Sequence, residues 1–114
     1  MTKIFTMSFK TIYGAYVNKL TRKNRTEAEL RQVITWLSGY SDADLQTQLA
    51  HDVSVATFFG QLPQLNPNAS KITGVVCGVR VENVQDPLMQ RIRYLDKLVD
   101  ELAKGRPLTK VLRS

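Results

Sequence analysis

The sequence holds one cysteine, Cys77, and one histidine, His51. One thiol excludes an internal disulfide, and one of each excludes a zinc site built from several Cys and His. No window approaches the ~18 apolar residues of a membrane span. Residues Met1 to Lys10 lack the apolar segment of a secretory signal. The Gly-Lys-Ser/Thr of a phosphate loop is missing, as is the third glycine of a dinucleotide fingerprint; Gly74-Val75-Val76-Cys77-Gly78 is glycine-rich only in outline. No motif calls for a cofactor or a metal. These absences predict a soluble cytoplasmic protein, and a free cysteine fits a reducing compartment.

Acidic residues are also missing, but only from the two ends. The 114 residues carry a net charge of +6. Residues 1–25 hold Lys3, Lys10, Lys19, Arg22, Lys23 and Arg25 and no acid, and residues 104–114 hold Lys104, Arg106, Lys110 and Arg113 and no acid. The stretch between them is net acidic. If the ends meet in space, as termini often do, they form one positive patch that would attract phosphates or nucleic acid. Arg22, Lys23, Arg25, Arg106 and Lys110 are the candidate residues. The simpler reading is a solvated face that keeps the protein soluble.

What is present is helical period. Phe9, Ile12, Tyr13, Tyr16, Val17 and Leu20 lie on one stripe behind Ser8, a candidate N-cap. Thr26-Glu27-Ala28-Glu29 has the form of a capping box. It opens a helix with Leu30, Val33, Ile34 and Leu37 on one face, stopped by Gly39. Ser41 and Ser54 open two shorter helices. Residues 60–70 form a loop. Asp86-Pro87 starts the longest stripe, Leu88 to Leu102, and Gly105 ends it. Pro107 begins a last short turn.

Ile72 to Val84 reads two ways. Alternation of Val75, Cys77, Val79 and Val81 suits a strand, and β-branched enrichment favours it. Ile72, Val75, Val76 and Val79 share a helix face, and a lone strand would have only residues 3–7 to pair with. The helix is the expectation, with Gly74 and Gly78 allowing close approach of a neighbour. The fold is therefore expected to be all-α, about six helices around one core. The alternative is α+β, pairing residues 3–7 with 74–81.

Candidate chemistry is thin. Cys77 and His51 are the one pair resembling a nucleophile and its base, but Cys77 among valines reads as a small buried hydrophobe. Asp96, Asp100 and Glu101 interleave with Arg93, Lys97 and Lys104, the pattern of a salt-bridged face. The helix-turn-helix outline around Gly39 puts Asp42 and Asp44 where a recognition helix needs positive charge. Trp36, Tyr40 and Tyr94 fall off the main stripes or at their edge, and exposed aromatics mark interfaces.

The strings Thr73-Gly74-Val75-Val76-Cys77-Gly78-Val79-Arg80, Asp86-Pro87-Leu88-Met89 and Arg93-Tyr94-Leu95-Asp96-Lys97-Leu98 through Gly105 resemble a bacterial family of small uncharacterised proteins, domain of unknown function family 2200. Ile34-Thr35-Trp36-Leu37-Ser38-Gly39-Tyr40, Phe58-Phe59 and the Leu65-Asn66-Pro67-Asn68 loop are similar too. The resemblance runs from about Phe9 to Arg113. It leaves residues 1–7 as a variable extension before a single helical domain over 8–114. It implies a bacterial cytoplasmic protein and supplies neither an activity nor catalytic residues. The expected function is a non-enzymatic interaction or structural module, self-associating through Trp36, Tyr40 and Tyr94 as a homodimer or binding another protein. Alternatives are non-specific nucleic-acid binding through the basic ends, and a small enzyme using Cys77.

Overall fold

Helix starts appear where the capping residues put them. The computed structural model describes residues 3–113. α1 spans Phe9–Arg22, with Ser8 Oγ accepting the Thr11 amide. α2 spans Glu27–Ser38 behind a complete capping box: Thr26 Oγ1 accepts the Glu29 amide and Glu29 Oε1 accepts the Thr26 amide, both at 3.1 Å. α3 (Asp42–Ala50) and α4 (Val55–Gly60) start at Ser41 and Ser54. α5, Pro87–Ala103, starts at Asp86, whose carboxylate accepts the amides of Leu88 and Met89. α6 is Leu108–Val111. The fold is thus all-α as expected: among the described residues there are six α-helices and one tiny antiparallel sheet, and 67% of those residues are helical with the short 3-10 turns counted.

α5 is the central element, packing against α1, α2, α4 and α6. A single apolar stripe would bury one side of it. Here Leu95, Leu98, Val99 and Leu102 are buried, and so are Tyr94 and Glu101 on another side. The aromatic part of the core lies beside it. Phe9 and Phe58 stack at 3.6 Å, and Phe59 meets Phe58 edge-on at 5.1 Å.

The expected helix over 72–84 is absent. β1 (Val75–Val76) pairs antiparallel with β2 (Val79–Arg80), Val76 opposite Val79 and Val75 opposite Arg80. The two residues between them, Cys77 at φ 51° and Gly78 at φ 77°, are both left-handed. That is the backbone of a type I′ hairpin turn, whose twist matches that of the strands. A helix cannot hold two consecutive residues at positive φ. Gly74, at φ 108°, enters the hairpin, and its carbonyl accepts the Val81 amide at 2.9 Å. The strand thus finds its partner within the same segment, so the proposed pairing of 3–7 with 74–81 does not form. A 3-10 turn at Val81–Asn83 leads on to α5. Ile72, Val76 and Val81 are buried, so the segment does contribute to the core.

Residues 3–7 are tied into the domain rather than appended to it. Lys3–Thr6 form a 3-10 turn against α4, with Ile4 and Phe5 packed on the core. The Val55 amide donates to the Met7 carbonyl at 2.8 Å, and the Phe9 amide to the Val53 carbonyl at 2.9 Å. Residues 1 and 2 of the expected extension lie outside the described residues.

Candidate functional site

Three places gather polar side chains. The first is the end of the molecule where α1 and α5 finish. Arg25 follows α1 and grips Glu29 with two nitrogens, at 3.1 and 2.7 Å. Its third nitrogen donates to the Arg106 carbonyl at 3.0 Å. The two basic ends therefore do meet. The hydrogen bond from Arg25 holds the Glu29 carboxyl below its usual range.

The same pole recruits acids from the body. Glu101, buried on α5, receives Arg113 at 2.5 and 2.7 Å and Arg106 at 3.2 Å. Asp100 receives Lys104 at 3.0 Å and Lys19 at 3.6 Å. Burial opposes ionisation of Asp100, but the two lysines outweigh it and lower its pKa. Arg25 and Arg106 are thus ion-paired rather than free. Arg22, Lys23 and Lys110 are exposed and carry no ion pair among the described residues. Sequence patterns counted Arg113 in the basic end and Glu101 among the carboxylates of a salt-bridged face but did not pair them; the only signal was the lack of any acid after residue 103 to neutralise Arg113.

The second place lies between α1, α5 and the hairpin. The Tyr16 hydroxyl donates to Asp96, whose other oxygen takes Arg93 at 2.8 Å. Burial, then the Asp96 charge, push the Tyr16 phenol well above its ordinary pKa. Lys97, one residue on, donates to the Val75 carbonyl at 3.3 Å and fastens β1 to α5. Cys77 sits at the hairpin tip and is exposed, contrary to the buried position its valine neighbours predict. The reason is the turn: strand alternation stops at Val76, and the two tip residues project from it. His51 ends α3 as an exposed C-cap.

The third is an open groove of about 580 Å³ between α2 and the start of α3, lined by Ala28, Arg31, Gln32, Thr35, Ser41 and Asp42. Its one guanidinium is fully engaged. Arg31 donates to Asp42 at 2.7 Å, to the Tyr13 hydroxyl at 3.2 Å and to Gln46 at 3.3 Å. Tyr13 in turn donates to Glu27 at 2.6 Å. Burial, then that bond, raise the Tyr13 pKa to about 12. The hydrogen bond from Arg31 lowers the Asp42 pKa. This network was also missed from sequence, although Glu27 and Arg31 stand four apart on one helix face.

The three aromatics expected at the surface are not gathered there. Tyr40 is buried, 6% exposed, and donates to the Phe58 carbonyl at 2.8 Å. The left-handed Gly39 turns it back into the core. Tyr94 is also 6% exposed, because α5 is covered on more than one side. Trp36 is half-buried against the core. Among the described residues no three His, Cys, Asp or Glu side chains cluster to hold a metal ion. Among them, too, no helix is long and apolar enough to cross a membrane.

Comparison with known proteins comes to the same point. A family described as "Uncharacterized protein conserved in bacteria (DUF2200)" matches residues 3–113. The crystal structure of uncharacterized protein SP1917 is similar, with 45% sequence identity and a TM-score of 0.93, over 98% of this chain and 93% of that one. No curated protein matches.

Proposed function

The chain belongs to this family of uncharacterized bacterial proteins, and from that premise we propose that it is a non-enzymatic, cytoplasmic interaction module that self-associates. The observation that carries this reading is the hairpin. Of the large apolar side chains exposed among the described residues, Val75 (50%) and Val79 (36%) both lie on it, and the third is Met7. Val76 faces the core, and β1 is fastened to α5. That leaves β2 as the outer strand, with no strand beyond it among the described residues. An open strand edge is a template for pairing with another chain.

The occupant favoured is a second copy. A two-fold interface must be self-complementary, and β2 and the 3-10 turn that follows it carry Arg80 and Glu82, of opposite charge and two apart. Within one chain they form an exposed pair at 3.5 Å. Across a two-fold axis each can meet its opposite. The exposed thiol of Cys77 fits a reducing compartment. Sedimentation equilibrium tests the reading. A concentration-dependent dimer, lost in Val75→Glu, is expected; a strict monomer at every concentration overturns it. Val75→Glu changes an exposed position, so its fold is expected to persist by circular dichroism.

A further inference from the structure

The second basic feature is independent of the hairpin. Cations from both chain ends converge on one pole, and the contact between Arg25 and the Arg106 carbonyl makes them contiguous. Three carboxylates sit among them. Glu29 takes one cation, while Asp100 and Glu101 take two each. Each doubly occupied carboxylate leaves a net positive group. Arg22, Lys23 and Lys110 add their charges unopposed by any ion pair among the described residues. Helices α1 and α5 end here and α2 begins here, so their dipoles partly offset and the side chains set the field. The pole is therefore positive although the body between the ends is net acidic.

We infer that this pole binds the phosphate backbone of duplex nucleic acid without reading its sequence. Three features separate that ligand from other polyanions. First, Met7, Val75 and Val79, the exposed large apolar residues among those described, all lie on other segments. A peripheral membrane surface needs apolar side chains to insert beside its cations, and a protein interface needs aromatic or aliphatic anchors. Secondly, no aromatic residue lies in the segments 18–26 or 103–114. Single-stranded nucleic acid is held by stacking on such residues, so a duplex, bound through its backbone, is favoured. Thirdly, Arg25, Arg106 and Arg113 are pinned by Glu29 and Glu101. That fixes a rigid base from which Arg22, Lys23 and Lys110 extend into solvent, and such contacts position a duplex without specifying bases.

The expected binding is weak and strongly salt-dependent. If the three unpaired cations each neutralise one phosphate, affinity falls about 40-fold between ~50 and ~200 mM monovalent salt. Fluorescence anisotropy of a short labelled DNA duplex with the full chain measures this. The triple variant Arg22→Glu, Lys23→Glu, Lys110→Glu is expected to lose at least about tenfold in affinity, and the neutral variant with Gln at the same positions to lose less than that and to flatten the salt slope. The control Lys3→Glu, Lys10→Glu, Lys71→Glu changes net charge equally at exposed positions outside the pole and is expected to stay within about twofold of the parent. Circular dichroism confirms that each variant is folded. No binding at ~50 mM salt, or equal losses in the pole and control variants, overturns the inference. So does binding to anionic phosphatidylserine vesicles or to polyglutamate as tight as to the duplex.

Discussion

The Tyr16 hydroxyl donates to Asp96, a residue on another helix and 80 positions along the chain. Arg93 takes the second oxygen of the same carboxylate at 2.8 Å. The three side chains form a strut between α1 and α5, two of the helices that enclose the core. Removing only the hydroxyl in Tyr16→Phe leaves Asp96 short of one donor while the ring still packs. Hydrogen bonds to charged groups contribute about 1.5–3 kcal/mol. Urea denaturation of Tyr16→Phe is therefore expected to show a loss of about 2 kcal/mol, with the melting temperature down by roughly 10 °C. A change below about 0.5 kcal/mol would mean the strut contributes little beyond packing.

All four tyrosines of the chain, Tyr13, Tyr16, Tyr40 and Tyr94, have their phenol pKa raised, in each case chiefly by burial. Tyr13 is raised to about 12. A folded pKa above the unfolded one means the native state binds more protons in the window between them. The associated stability is complete below about pH 10, the unfolded value. It is lost as pH rises from there through the folded values. Spectrophotometric titration of tyrosinate is expected to show no phenol ionising at its ordinary pKa while the protein is folded. Ionisation should arrive together with the loss of helical circular dichroism. A tyrosine titrating freely near pH 10 in the folded protein would contradict the burial described here.

The caps and stops were legible from sequence because each is a local event. Ser8, Thr26, Ser41, Ser54 and Asp86 each accept amides two or three residues ahead, so the signal is contained in a few positions. The hairpin was not legible for the opposite reason. Its strands are two residues long, too short for alternation to outvote a helical stripe. The deciding residue is Cys77, a type seldom found at a left-handed turn position. Asn or Asp before Gly78 would have announced the turn. Tyr40 was misplaced because the left-handed Gly39 turns it back into the core, and Tyr94 because periodicity identifies one buried stripe, whereas α5 is enclosed on several sides. The pole was visible as charge but not as pairing, since Glu101 and Arg113 belong to segments that only the fold brings together.

The turn gives its own prediction. A non-glycine residue in the left-handed region costs roughly 1–2 kcal/mol, and Asn tolerates it best. Cys77→Asn is expected to raise stability by up to about 1 kcal/mol in chemical denaturation. Gly78→Ala is expected to lower it by about 1 kcal/mol, since φ is 77° there. In the parent protein an aromatic disulfide reagent should label the exposed Cys77 at a rate insensitive to sub-denaturing urea. Labelling that waits for unfolding would place the thiol inside the domain.

Gly39 is the tighter case. Its φ is 81°, and a Cβ there would stand 2.8 Å from the Gln64 carbonyl oxygen and 2.9 Å from the Gln64 nitrogen. Both are backbone atoms. The Gln64 amide is itself bonded to the Ser38 carbonyl at 3.1 Å, so the loop cannot retreat without breaking that bond. Gly39→Ala combines left-handed strain with a clash, and a loss of more than about 2 kcal/mol is expected, larger than for Gly78→Ala. Comparison of the two melting temperatures checks the order.

Glu101 decides how firmly the chain's last segment is held. Two guanidinium groups, those of Arg106 and Arg113, converge on it, and its side chain is 8% exposed. Removing one partner of a buried ion pair costs about 3–5 kcal/mol. Arg106 is 45% exposed and can return to water, so the cost here falls below that range. Arg113, at 13%, cannot do so without moving the segment that carries it. Glu101→Gln is therefore expected to lose about 2–3 kcal/mol and to act locally first. Amides of residues 108–112 should exchange faster than those of α5, and trypsin should cleave after Lys110 before the domain unfolds. Removal of Val111, which is fully buried, from the core would follow from the same release. Uniform acceleration of exchange throughout the chain would instead show that Glu101 supports the whole core rather than the closing segment.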